Sequence, residues 1–331
     1  MSDSFDPFQQ VRRLAGDPEP TPEEERAALA RLQRSITAER AGPGSRRRRI
    51  GWRWAVPTTA VALVAAFLTA VVVLQPGPAD AILAEIVHAS RAATPLDIPE
   101  GSFIHLAHDQ TNLGVEPGED LGLDRDHVGY LRPAHVDVWY QPSTGFYQRR
   151  SVAGEPIFFD DEVRAAWEAS GGAARDQVGE VVTERVTGVV NDDATTDWPT
   201  DPKLLRAALE ARIALGGSPS GMDVALFENA VGILRTGVAG PQLRAAIAGM
   251  LAGLPLDLVE DRPDGGATLA IDYELNGGAR RLSIDLGPDG ILLGERLVDI
   301  DGDAELNIPP GTAVADVVYQ PPEVVTALPD S

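Results

Sequence analysis

The chain has 331 residues, no cysteine, 28 basic and 50 acidic side chains and a net charge of −22. Hydrophobic residues make up 44 %, enough apolar matter for a core, which excludes wholesale disorder. The missing cysteine excludes disulfides, thiolate nucleophiles, cysteine zinc sites and cysteine-held iron–sulfur clusters.

The charge is divided unevenly. Residues 1–54 carry 11 arginines and 8 acids, or +3, whereas residues 55–331 carry 17 cations and 42 acids, or −25. So sharp a split implies that the two parts work in different surroundings. A body this acidic repels phosphate, so no direct nucleic-acid partner is expected.

The first 50 residues are expected to form a cytoplasmic tail, helical over 21–41. Thr21 can cap the helix, Pro22 fits its first position, and Glu24 completes a Thr-x-x-Glu capping box. Gly42-Pro43 ends it. Leu29, Leu32 and Ile36 form one thin apolar stripe, too little for an independent core. Two readings stand side by side. Either the stripe orders against a cytoplasmic partner, or the helix is solvated beside the membrane while Arg46, Arg47, Arg48 and Arg49 touch anionic headgroups.

Residues 52–75 are expected to form one transmembrane helix. Trp54 to Leu74 is a run of 21 residues without a charge, 17 of them Ala, Val, Leu, Phe or Trp. As a helix it spans about 31 Å, close to the hydrocarbon thickness of a bilayer. Trp52 and Trp54 sit where an interfacial aromatic belt belongs. Arg46–Arg49 and Arg53 precede the run, and the next cation after it is Arg91. Basic flanks stay inside, so the amino terminus is placed in the cytoplasm and the acidic body outside the cell membrane. The rivals are a cleaved signal peptide, with Ala79-Asp80-Ala81 as the cleavage form, and a buried core helix.

Residues 79–331 predict an α+β domain: an antiparallel sheet covered by helices. Ala79–Ala93 reads as an amphipathic helix, and Ser102–Leu106 as a strand. The 100–150 region reads as hairpin, with paired strands over 135–149. Variable loops are expected over 107–134, where 112–130 is acidic and turn-rich, and over 171–199, with a partial strand pattern at Val181–Val190. A short helix is expected at 160–170. Three helices follow over 200–254, carrying Leu205, Leu209 and Ile213, then Val224, Phe227, Val231 and Leu234, then Leu243, Ile247, Met250 and Leu251. Asp264-Gly265, Asn276-Gly277 and Asp289-Gly290 are tight-turn dipeptides at even spacing, so 256–300 predicts a four-strand meander. A last strand is expected over 312–320. The helices can cover the apolar face of this sheet.

Chemistry-bearing patterns are sparse. His105 and His108 stand at i and i+3, which on a strand point to opposite faces and do not converge on a metal. Asp299, Asp301, Asp303 and Glu305 loosely resemble a calcium loop, but Ala304 and Pro310 occupy positions that an EF-hand gives to Gly and Glu. There is no Gly-x-Ser-x-Gly elbow, phosphate loop, His-Glu-x-x-His or dinucleotide fingerprint. No enzyme activity, cofactor or metal is expected from these patterns.

Several motifs carry a resemblance as a set: Asp6-Pro7-Phe8 with Val11-Arg12-Arg13-Leu14, the TPEEE helix start, RRRR before WRWAVP, WPTDPKLLRAAL, LRTGVAGPQLRAAIAGMLAGLP, LGPDGILLGERLV and PPGTAVADVVYQPPEVV. Together they resemble a group of actinobacterial single-pass membrane proteins of unassigned activity, often encoded beside extracytoplasmic-function sigma factors. The resemblance implies a non-catalytic role in envelope signalling, with a sigma factor or other regulator as the cytoplasmic partner and Leu29, Leu32 and Ile36 as its contact. It also implies an outer domain similar to the curved, helix-covered sheets of envelope lipoprotein-carrier and sigma-regulator domains. The chain departs from zinc-containing anti-sigma domains, having no cysteine and no histidine before His88. A lipid- or wall-binding module on a membrane anchor is the alternative.

Overall fold

The computed structural model describes residues 77–186 and 197–329. The tail, the apolar run and their named residues, Leu29, Leu32, Ile36, Arg46–Arg49, Trp52, Arg53 and Trp54, lie outside the described residues. Among those described, no helix is long and apolar enough to cross a membrane.

The described part is α+β, with six helices and one large antiparallel sheet. Helix α1 (Pro78–Ala92) comes first, with Pro at its first position and Asp80 accepting from the Gly77 N–H. Strands β1 (Phe103–Pro117), β2 (His127–Gln141) and β3 (Phe146–Ala153) form a meander. The short β4 (Ile157–Phe158), α2 (Asp161–Ala169), α3 (Gly172–Arg175) and β5 (Val181–Val186) follow. The helical layer is α4 (Pro202–Gly216), α5 (Met222–Arg235) and α6 (Pro241–Leu251). The second meander is β6 (Asp257–Asp261), β7 (Ala267–Leu275), β8 (Gly278–Leu286) and β9 (Leu292–Asp299), after which β10 (Thr312–Tyr319) and β11 (Glu323–Val325) close the sheet. The order is β5-β3-β2-β1-β10-β9-β8-β7-β6, with β11 also on β1 and β4 on β2.

The loop expected over 107–134 is in large part strand. β1 and β2 pair continuously from Ile104 opposite Tyr140 to Pro117 opposite His127, leaving only 118–126 as connection. The cue was missing because the far half of this ladder packs polar groups such as Glu116 and Arg132, so apolar alternation fades while pairing continues. Likewise 171–199 holds α3 and β5, the latter an edge strand with mostly exposed side chains.

The three turn dipeptides fall where tight turns are needed. Asn276 and Gly277 both have positive φ, 53° and 81°, the backbone of a two-residue hairpin turn whose twist suits the flanking strands. At Gly290, φ is +75° and an added Cβ would stand 2.7 Å from the Ser90 hydroxyl. That close approach seats the β8–β9 turn against α1. The Asp289 carbonyl there accepts from Ser90 at 2.8 Å and from Arg244 Nε at 2.9 Å, tying α1 and α6 to one turn.

The main core lies between α1, α4–α6 and the inner sheet face. Leu269, Ile271, Leu282, Ile284 and Leu286 on the strands meet Leu83, Ile86, Leu205, Leu209, Phe227 and Leu251 on the helices. A smaller core holds Leu121, Val128, Tyr130, Val163 and Trp167 at the far end of β1–β2. The open edge at β6 carries Asp257, Glu260 and Asp261, charges that oppose pairing with another chain's strand. Phe227 is fully buried. Phe227→Ala is expected to cost about 3–5 kcal/mol, read as a lowered denaturant midpoint of the full chain.

Candidate functional site

Three polar clusters stand out among the described residues. The first is under the helical layer. Glu295 on β9 is buried and accepts from Arg235 Nε at 2.6 Å and again from the second Arg235 nitrogen, while the Tyr319 hydroxyl donates to it at 2.7 Å. Burial and then the Glu295 charge push the Tyr319 hydroxyl well above the usual phenol range. Burial opposes the Arg235 charge, but the Glu295 contact outweighs it and keeps the guanidinium ionised. This clamp fastens the end of α5 to β9 and β10. A cavity of about 30 Å³ adjoins it, lined by Leu106, Leu234, Arg244, Leu292 and Pro322 among others.

The second cluster sits over the small core. The Tyr130 hydroxyl lies 2.6 Å from Glu116 and 3.0 Å from Asp176 and accepts from Arg132 at 2.6 Å. Arg132 also donates to Glu116, Trp167 Nε1 donates to Asp176 at 2.9 Å, and Arg175 donates to Glu116 at 2.9 Å. Burial alone raises the Asp176 carboxyl, but Trp167, Arg132, Tyr130 and Arg175 together hold it below the usual carboxylate range. Two arginines and two carboxylates balance in charge, and most of their contacts are with one another, while the buried Arg132 Nε has no partner among the described residues.

The third is a ladder on the outer face of β1–β2. Pairing sets His105 opposite Trp139, Ala107 opposite Asp137 and Asp109 opposite His135. The Asp137 carboxylate lies between two imidazoles, 2.9 Å from His105 Nε2 and 3.6 Å from His135 Nε2. His135 Nδ1 is 2.8 Å from Asp109. The His105 ring stacks on Trp139 at 4.8 Å and 12°. Asp137 is largely covered, whereas Asp109 is 71 % exposed, so the ladder opens to solvent at one end. Of the three, this cluster alone sets imidazoles against carboxylates on an open side.

His105 and His108 diverge as their spacing requires. His108 faces inward and meets the Tyr319 ring at 5.4 Å. Burial foremost lowers the pKa of His108; Arg149 and His135 add to this, against opposing contributions from Gln110 and Glu295. The three aspartates of the Asp299–Glu305 run accept from backbone groups: Asp299 from Gly302 N–H, Asp301 from Ala279 N–H of β8, and Asp303 from Glu305 and Leu306 N–H. Among the described residues no cluster of three or more His, Asp or Glu is arranged to hold a metal. Sequence reasoning found His105 but missed Asp137, His135, Asp109 and Trp139 as its company. Alternation over 135–140 placed three of them on one face, but the register with β1 was illegible.

No family model matches this chain, no curated protein matches it, and no solved structure matches it.

Two measurements probe these clusters. Asp137→Asn keeps the volume and removes the charge between the imidazoles; a loss of about 1–2 kcal/mol is expected in urea unfolding of the full chain. For His108, the depressed folded value means that the unfolded chain binds its proton more readily below its ordinary 6.5. Stability is therefore fully present above that value and falls as the pH drops toward the folded one. His108→Gln is expected to flatten that slope in thermal unfolding followed from about pH 8 to about pH 5.

Proposed function

We propose that this chain is a non-catalytic single-pass membrane protein, an envelope sensor or regulator linked to sigma-factor signalling. The observation that carries the reading is the uncharged run Trp54–Leu74 directly behind Arg46–Arg49 and Arg53, with +3 on one side and −25 on the other. The amino-terminal tail lies in the cytoplasm and engages a sigma factor or another regulator through Leu29, Leu32 and Ile36. The α+β body stands outside the cell membrane, and the bilayer is its standing partner. The resemblance to sigma-factor-associated membrane proteins supports the same assignment.

The alternative, a lipid- or wall-binding module on the same anchor, needs a cleft between sheet and helices. The cavity between sheet and helices, about 30 Å³, is small beside the pockets that enclose ligands of lipid size.

Protease protection on intact cells, with a tag at each end, tests the topology. The amino-terminal tag is expected to survive external protease and the carboxy-terminal tag to be lost. Survival of both tags would overturn the assignment. Capture of a sigma factor by the full chain, lost on Leu29→Asp with Leu32→Asp, is the expected result for the cytoplasmic contact.

A further inference from the structure

One end of the helical layer gathers features that the core and the polar clusters do not use. α1 and α6 run antiparallel. The carboxy end of α1 and the first turns of α6 meet on the Asp289 carbonyl, through Ser90 and Arg244. Farther along, Gly249 abuts Val87, where an added Cβ would stand at 3.8 Å. The first turn of α1 therefore lies at the carboxy end of α6. α4 arrives at the same end. Pro202 packs against Gly249, and four residues later Arg206 reaches the Gly253 carbonyl at 3.4 Å and Asp223 of α5 at 3.7 Å. Beyond Arg206, α4 continues for about 15 Å, so its last turn projects past α6.

That projecting tip is apolar and uncharged. Leu215 is 92 % exposed, the most exposed large hydrophobic side chain among those described, and Met222 is 42 % exposed. From Ile213 to Met222 the chain has no charged residue, although the body around it carries −25. Leu215 and Met222 thus flank an uncharged five-residue turn on a surface otherwise rich in carboxylates.

Chain length says what meets it. Three residues, Gln75, Pro76 and Gly77, separate the end of the apolar run at Leu74 from the first residue of α1. Fully extended they allow about 14 Å between Leu74 and Pro78. If the run spans the bilayer, the end of the layer that begins with α1 is held at the headgroups. We infer that the α4–α5 tip, Ala214–Met222, rests in the interface of the outer leaflet, with Leu215 and Met222 dipping into lipid, and so fixes how the tethered body stands on the bilayer. This inference rests on the membrane-spanning reading above. The lack of charge over this stretch spares it repulsion from anionic headgroups.

The chain has no native cysteine, so single reporters need no background removal. Full-length Leu215→Cys, Met222→Cys, Val318→Cys and Ala65→Cys are each labelled with an environment-sensitive fluorophore. They are then reconstituted in phosphatidylethanolamine–phosphatidylglycerol vesicles, with or without spin-labelled lipid. Val318 is an exposed control on the outer sheet face, and Ala65 reports on the apolar run. The labels at 215 and 222 are expected to shift to the blue and lose about half of their emission to shallow spin-labelled lipid, while the label at 318 keeps its emission. Quenching at 65 without quenching at 215 and 222 overturns the tip proposal and leaves the anchor standing. A blue shift at 215 that spin-labelled lipid does not quench means contact with protein and also overturns it. No quenching at 65 by lipid spin-labelled deep in its acyl chain overturns the anchor, and the tip proposal falls with it.

Discussion

Strand β10 is the seam on which the described body depends. It pairs with β9 on one side and β1 on the other, from His108 opposite Tyr319 to Asn112 opposite Ala315. Without that pairing the chain would hold two separate antiparallel systems, one built on β1–β3 and one on β6–β9. With it the inner face becomes one surface, and Tyr319 reaches Glu295, the residue that anchors the end of α5. A backbone ladder thus sets where a buried charge pair can form. The charge pair in turn holds the helical layer that covers the apolar side chains of the second meander.

Much of the second half was readable because local signals agreed. The helices over 202–251 repeat their apolar residues at helical spacing and start at proline or glycine. The strands of the second meander alternate between turn dipeptides that demand positive φ. In the first half the signals conflicted. The outer stretch of β1 carries Gln110, Thr111, Asn112 and Gly114, and its partner carries Arg132, Pro133 and Ala134, residues that suggest loop by composition. What makes them strand is their pairing with one another and the polar network at Glu116, Tyr130 and Arg132, a tertiary fact that no window of sequence contains. The outer-face ladder escaped for the same reason: His105 and Asp137 are far apart in the chain and meet only through register.

The placement of polar groups divides the sheet by role. Under the helices, ionised groups are few and balanced, as the cost of stripping water from charge requires. On the outer face of β7–β10, pairs such as Arg281 with Asp272 and Arg296 with Asp316 sit in contact with solvent, where each adds little to stability. The imidazole ladder lies between these extremes, covered at Asp137 and open at Asp109. A surface with a net charge of this size repels copies of itself, which favours a body that stays dispersed rather than stacking through its open edges.

The seam at β10 has a consequence for biogenesis. The strands β1 and β10 that pair there are separated by roughly 200 residues, so the sheet cannot be completed until nearly the whole described body has been made. β1 is therefore made first and its neighbour last. In the interval β1 is flanked on one side only, with a row of unsatisfied amides along its other edge. Such a delay leaves the half-made sheet open to wrong strand pairing until the last strands arrive.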